Sequence, residues 1–153
     1  MNIKEKFSEE IKTAYTFNSE YITIGGAIFE GECINNLHVN IPLKTLNRHG
    51  LIAGATGTGK TKTLQVITEQ LSSKSIPVLV MDVKGDFSGI AKAGTSNPKI
   101  EERHNKIGLV YTPSGFPVEM LTLSNEKGVR LRATVSEFGP VLLSKILELN
   151  DTQ

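Results

Sequence analysis

The chain has 153 residues, 39% hydrophobic and 22% charged, with a net charge of +1, which excludes a disordered polyelectrolyte. A chain of this length buries about 70% of its unfolded surface without staples. One cysteine, Cys33, excludes a disulfide scaffold, and the longest apolar run, Ile76 to Met81, is far too short to cross a bilayer. The opening MNIKEKFSEE has no apolar h-region, so the expectation is a cytoplasmic protein with no membrane association. Seventeen basic residues against sixteen acidic ones give no electrostatic footprint of nucleic acid.

In chain order, Ile3, Phe7, Ile11 and Tyr15 recur four apart, which reads either as a short amphipathic helix, within an N-terminal helical extension over residues 1–20, or equally as an unanchored, frayed terminus. Tyr21 to Phe29 reads as a strand with a bend or bulge at Gly25-Gly26, and Cys33 to Leu43 contains a second, weaker strand. Asn47 to Gly50 is a turn. Leu51 to Ala53 is a short, continuously apolar strand of the kind buried on both faces of a parallel sheet. Lys60 to Ser73 is a helix, with Leu64, Ile67 and Leu71 on one face and Ser72, Ser73 and Ser75 marking its end. Pro77 opens the strand Val78 to Met81, which Asp82 ends. Strand, loop, helix and strand make a βαβ unit with a right-handed crossover. Beyond it, Ser88 to Ala93 forms a helical turn and Gly94 to Pro98 a loop. Ile107 to Tyr111 and Val118 to Leu123 are strand candidates around a turn at Pro113 to Gly115, and Asn125 to Gly128 is another turn. A last helix starts near Ser136, with Glu137 in its first turn, Pro140 close behind, and a stripe of Leu142, Leu143, Ile146 and Leu149.

Gly54 to Thr61 (GATGTGKT) fits the pattern G-x-x-x-x-G-K-[ST]. Each part has a physical reason. Glycines let the chain curl so that successive main-chain N–H groups converge on phosphate oxygens, and the helix that follows adds its positive end. Lys60 reaches the outer phosphates, and the Thr61 hydroxyl suits Mg²⁺, a hard cation that prefers oxygen. The match follows an apolar strand and precedes an amphipathic helix, the context the motif requires.

Asp82-Val83-Lys84-Gly85-Asp86 is the second constellation. Asp82 closes an apolar strand as a Walker B aspartate does, but Val83 rather than an acid follows it. D-x-x-G also opens a GTPase motif, yet no N-K-x-D appears. The remaining readings are a loop at the carboxyl end of the second strand, beside the phosphate site, and a plain polar strand end with Gly85 making the turn. His49 stands before the loop strand, where it faces nucleotide or a neighbouring subunit, or is a hydrogen-bonded turn histidine. His38 and His104 have no cysteine or carboxylate at metal spacing. Ser88 and Ser114 lack a nucleophile-elbow context. Lys127, Arg130 and Arg132 read as a solvated basic hairpin, ahead of an arginine finger or a DNA contact.

Three segments together carry a family signal: NRHGLIAGATGTGKT (47–61), PVLVMDVKGDFSGIAKAGTSNPKI (77–100) and VRLRATVSEFGPVLLSKILELNDTQ (129–153). They resemble the start of the YjgR-like proteins, within the HerA/FtsK-type P-loop ATPases, over about residues 45 to 153. The resemblance implies an α/β fold of RecA-like P-loop NTPase type, a parallel sheet flanked by helices, that binds ATP and Mg²⁺. Residues 21–153 are then the N-terminal part of a P-loop ATPase domain, incomplete at the C-terminus. It assigns nucleotide contacts to Gly54, Ala55, Thr56, Gly57, Thr58, Gly59, Lys60, Thr61 and Thr63, catalytic roles to Lys60 and Asp82, and Mg²⁺ to Thr61 and Asp82. Cores of the wider superfamily form hexameric rings that pump DNA, so a homo-oligomer is expected, with ATP or ADP as ligand and DNA as partner of the full-length protein. Family members are longer. The strand ending in Asp-Glu that activates water, the arginine finger and the pore loop are not in this sequence, which reads as a truncated N-terminal part or the product of a shortened gene. Two functions stay open: a DNA-translocase or helicase-type ATPase motor when full length, and a nucleotide-binding or interaction module without turnover.

Overall fold

The computed structural model describes residues 2–148, and the chain divides into two units, Met1–Pro117 and Val118–Gln153. The first unit opens with helix α1 (Ile3–Tyr15), which starts on a capping box: the Asn2 side chain accepts from Lys4 N–H while the Glu5 carboxylate accepts from Asn2 N–H. Strands β1 (Tyr21–Phe29) and β2 (Glu32–Pro42) follow as an antiparallel hairpin. Glu30 and Gly31 connect them with φ of +49° and +85°, and two successive positive φ values give the turn the twist a tight hairpin needs. The expected weaker strand is therefore the longer of the two, with 11 residues. Register shifts fall between Thr23 and Gly25 and between Gly26 and Ile28, so the bulge expected at the glycine pair is present.

Helix α2 (Lys60–Ser73) has the bounds its pattern predicts, and a 3-10 turn covers Ser88–Ala91. Helix α3 (Pro98–Ile107) corrects the sequence reading, which put a loop at Gly94 to Pro98 and a strand at Ile107 to Tyr111. The cause is local: Asn97 caps Ile100 N–H, Pro98 opens the first turn, and Gly108 ends the helix at φ +74°. The end of α3 lies on the hairpin. A Cβ on Gly26 would sit 2.7 Å from the Ile107 side chain, and His38 Nε2 meets the Ile107 carbonyl at 2.7 Å. The buried apolar residues are Ile22, Ala27 and Leu37 in the hairpin and Phe87 and Ile90 around the 3-10 turn. Phe7 of α1 packs on Phe29 with ring centroids 5.2 Å apart.

The predicted strands Leu51 to Ala53 and Val78 to Met81 are corrected: neither pairs with another strand, so the described residues form no βαβ sheet. A three- or four-residue apolar segment is a parallel strand only when neighbours supply the ladder on both sides. Here Leu51, Leu79 and Met81 lie exposed. The chain is α/β, built of helices and small two-stranded sheets.

In the second unit, β3 (Leu121–Thr122) and β4 (Val129–Arg130) pair in parallel over two residues, which replaces both the longer strand over Val118 to Leu123 and the basic hairpin. Helix α4 (Val135–Ile146) starts from a Thr134–Glu137 capping box, one residue before the predicted start, and breaks at Gly139 (φ +69°, ψ +167°) ahead of Pro140. Hydrogen bonds from Thr134 N–H and Oγ1 hold the Glu137 carboxyl below its ordinary range. Leu149, the last member of the predicted stripe, lies outside the described residues.

Candidate functional site

Residues 51–55 have no regular secondary structure and lead into a turn that delivers the chain to α2. The three glycines of that turn serve two different purposes. Gly57 and Gly59 hold φ of +81° and +98°, and a Cβ on either would meet nothing within 4 Å, so what they supply is conformation. Gly54 supplies space: a Cβ there would stand 2.5 Å from Thr58 Oγ1. Thr58 closes the turn by donating to the Ala55 carbonyl from its hydroxyl (2.8 Å) and its N–H (3.4 Å).

Lys60 folds back over the same turn. Its ammonium donates to the Gly54 carbonyl at 2.8 Å and the Ala55 carbonyl at 2.7 Å. Gly59 caps α2 with no side-chain hydrogen bond, so the helix presents an uncapped amino end behind the lysine. Thr63 N–H and Oγ1 donate to the Gly59 carbonyl (2.9 and 3.3 Å), and Thr61 and Thr56 are exposed. The predicted residues Gly54, Ala55, Thr58, Gly59, Lys60 and Thr63 are thus linked by hydrogen bonds. Thr61 sits beside Lys60 in the first helical turn.

Asp82 uses its carboxylate locally. Oδ1 accepts from Gly85 N–H (3.0 Å) and Oδ2 from Phe87 N–H (2.8 Å), which closes residues 82–87 into a turn anchored by buried Phe87. Gln65 Nε2 donates to the Asp86 carbonyl at 3.1 Å and ties that turn to α2, one helical turn beyond Thr61. No hydrogen bond joins Asp82 to Lys60 or Thr61 among the described residues. His49 is exposed, and His104 Nδ1 lies 2.9 Å from the Ile100 carbonyl.

Glu69 lies farther along α2, on a cleft of about 460 Å³ shared with Lys62, Lys92 and Tyr111. Partial burial raises its carboxyl above the ordinary 4.5, and Lys62 partly offsets the rise. Sequence reasoning missed Gln65 and Gln70, since nothing local separates either from a solvated glutamine on a helix face.

The residues fit a phosphate: open glycine positions, an ammonium at the turn and a bare helix end all favour an anion. Thr61 and Asp82 bring oxygen donors of the kind Mg²⁺ accepts. No helix among the described residues is long and apolar enough to cross a membrane.

The family model for the helicase HerA-like C-terminal region matches residues 30–153, and the chain belongs to that family. It is 30% identical over 115 residues to the DNA double-strand break repair helicase HerA of Saccharolobus solfataricus, covering 74% of this chain and 21% of that protein. It is 36% identical over 88 residues to the protein of the same name from Sulfurisphaera tokodaii, covering 54% of this chain and 18% of that one. The chain therefore spans about a fifth of the length of the curated relatives it matches. No solved structure matches.

Proposed function

We propose that residues 54–61 hold the phosphates of ATP or ADP, and that the chain is the nucleotide-binding portion of a RecA-like, HerA-type ATPase core. Residues 1–20 are its helical extension and residues 21–153 the N-terminal part of the ATPase domain. One observation carries the reading: a glycine turn closed on the Lys60 ammonium directly before the uncapped end of α2.

Lys60 exchanges two carbonyl partners for phosphate oxygens, and the charged acceptor makes the stronger hydrogen bond. The N–H groups of Gly57, Gly59, Lys60 and Thr61 join it, the Thr58 N–H being held by the Ala55 carbonyl, with Gly54, Ala55, Thr56 and Thr58 as the wall of the turn and Thr63 bracing its junction with the helix. The Thr61 hydroxyl and the Asp82 carboxylate hold Mg²⁺, which when bound neutralises phosphate charge. Asp82 arrives with its orientation fixed by Gly85 and Phe87, so little freedom is lost when it takes a metal.

The full-length protein, on this reading, is an ATP-driven DNA translocase or helicase, working as a homo-oligomer. Family membership and the DNA-repair helicase names of its relatives support this. Val83 beside Asp82 favours a second reading for these residues, nucleotide binding without turnover, because no adjacent carboxylate serves as base.

Calorimetric titration with Mg·ADP and Mg·ATP tests binding. At a hundredfold excess over Kd the ligand stabilises the fold by about 2.7 kcal/mol, and Lys60→Ala abolishes the effect. Equal affinity of wild type and Lys60→Ala refutes the site. A phosphate-release assay with and without DNA separates the two readings, since turnover of order 1 s⁻¹ lost in Lys60→Ala indicates a motor.

A further inference from the structure

A chain of polar contacts leaves the far end of the helix that begins at Lys60. Gln70 lies ten residues along α2, about 15 Å from its start. Its side-chain amide pairs with the main chain of Thr23 in β1: Oε1 accepts from Thr23 N–H at 2.7 Å and Nε2 donates to the Thr23 carbonyl at 2.5 Å. Gln70 therefore satisfies both main-chain groups of Thr23, as an added strand does on a sheet edge. The contact falls at the register shift after Thr23, where the ladder with β2 is interrupted.

The path continues through side chains. Thr23 Oγ1 donates to Asn40 Oδ1 of β2 at 2.8 Å, and Asn40 Nδ2 donates to the Tyr15 carbonyl at 3.0 Å. Tyr15 is the last residue of α1, so Asn40 satisfies a carbonyl that the helix end leaves without an intrahelical partner. All four members of the path, Gln70, Thr23, Asn40 and Tyr15, are partly buried, which shields these bonds from competing water.

At its other end α2 begins with Lys60, whose ammonium holds the Gly54 and Ala55 carbonyls. On the nucleotide reading above, phosphate offers it a second set of partners. Coupling between distant sites needs such a two-state element joined to a rigid one. We infer that Gln70 is a positioning residue that couples nucleotide at the glycine turn to the order of the N-terminal hairpin and α1. The inference rests on the nucleotide reading above. Phosphate fixes the start of α2, α2 carries the constraint to Gln70, and Thr23 and Asn40 pass it to both strands and to the end of α1.

Hydrogen exchange on the 153-residue chain, with and without saturating Mg·ADP, tests this against three variants. In the wild type, nucleotide slows exchange about tenfold or more at the turn, at Thr23 and its β1 neighbours, and at the end of α1. Gln70→Ala keeps the slowing at the turn and loses it in the hairpin and α1. Gln70→Glu keeps an acceptor for Thr23 N–H but has no donor for its carbonyl, and gives a reduced hairpin response. Thr23→Ala keeps the main-chain pairing with Gln70, so β1 still responds while α1 does not. By reciprocity, Gln70→Ala also shifts the Kd for Mg·ADP, in the range of about 5- to 150-fold usual for coupled sites. A purely structural Gln70 lowers hairpin protection equally with and without nucleotide and leaves Kd unchanged. That result, or a hairpin response undiminished in Gln70→Ala, overturns the coupling while leaving nucleotide binding intact. Absence of any Mg·ADP binding to the wild type in calorimetry overturns both readings together.

Discussion

Gly59→Ala isolates what the glycine turn does. Gly59 holds φ +98° at the junction with α2, and a Cβ there touches nothing within 4 Å. The whole cost of the methyl group is therefore conformational, about 1–2 kcal/mol for an L-residue in left-handed backbone. That energy emerges in one of two places. When the free turn keeps its shape, the variant carries the strain, and the midpoint of thermal unfolding falls by about 2–8 °C, at 2–4 °C per kcal/mol for a chain of this length. When the free turn relaxes, the melting point stays put, and the strain returns as nucleotide binds, weakening Kd by about 5- to 30-fold. Scanning calorimetry measures the first and isothermal titration with Mg·ADP the second, and their sum is fixed at about 1–2 kcal/mol. Gly25→Ala is the control. It also has open space, its φ lies outside the left-handed region, and the substitution stabilises by up to about 1 kcal/mol through the unfolded chain. A Gly59→Ala protein that matches wild type in both melting point and Kd refutes the requirement for the left-handed turn.

Ile22 is fully buried in the hairpin, so Ile22→Ala costs about 2–5 kcal/mol in denaturant unfolding. Thr68 Oγ1 is buried without a hydrogen-bond partner among the described residues, so Thr68→Val stabilises by about 1 kcal/mol in the same assay; destabilisation contradicts the orphaned hydroxyl. Glu69 has its carboxyl raised above 4.5 by burial, so its contribution is fully present below that value and is lost as pH rises through the folded value. Glu69→Gln accordingly flattens that part of the stability–pH profile and makes the protein more stable at neutral pH, whereas an unchanged profile refutes the burial argument. Leu79, Met81 and Val83 are 83%, 90% and 94% exposed on a backbone with no strand partner among the described residues. Sedimentation velocity should show concentration-dependent association that the pair Leu79→Lys and Met81→Lys abolishes, and a monodisperse wild-type monomer counts against it.

How far the sequence could be read depended on the distance over which each feature is decided. Helix α2 was legible in both bounds because Gly59 and the closing serines act within a turn of the residues they punctuate. The start of α4 was legible to one residue for the same reason, through Ser136, Glu137 and Pro140. Helix α3 carried equally local signals in Asn97, Pro98 and Gly108, but a segment with so few apolar residues lacks the periodic stripe on which a helix is first noticed. Strands at Leu51 to Ala53 and Val78 to Met81 failed on the opposite ground. Their apolar character is real, but a strand is a relation between segments, and no residue within those three- and four-residue runs specifies a partner.

The candidate site divides along the same line. Gly54 to Lys60 are consecutive, so their hydrogen bonds close over six residues or fewer, and the pattern that requires them is visible in the letters. Asp82 was visible as a strand-ending acid, but its bonds to Gly85 and Phe87 show that its first task is to close its own turn, one of the readings the sequence left open. Gln65 reaches Asp86 across 21 residues and Gln70 reaches Thr23 across 47. The first bond ties α2 to the turn at residues 82–87 and the second ties it to the hairpin, and both are fixed by tertiary packing rather than by the residues beside either glutamine. A glycine turn is thus local geometry that a sequence can announce, while the contacts that tie α2 to the hairpin are tertiary and become readable only once the two stand side by side.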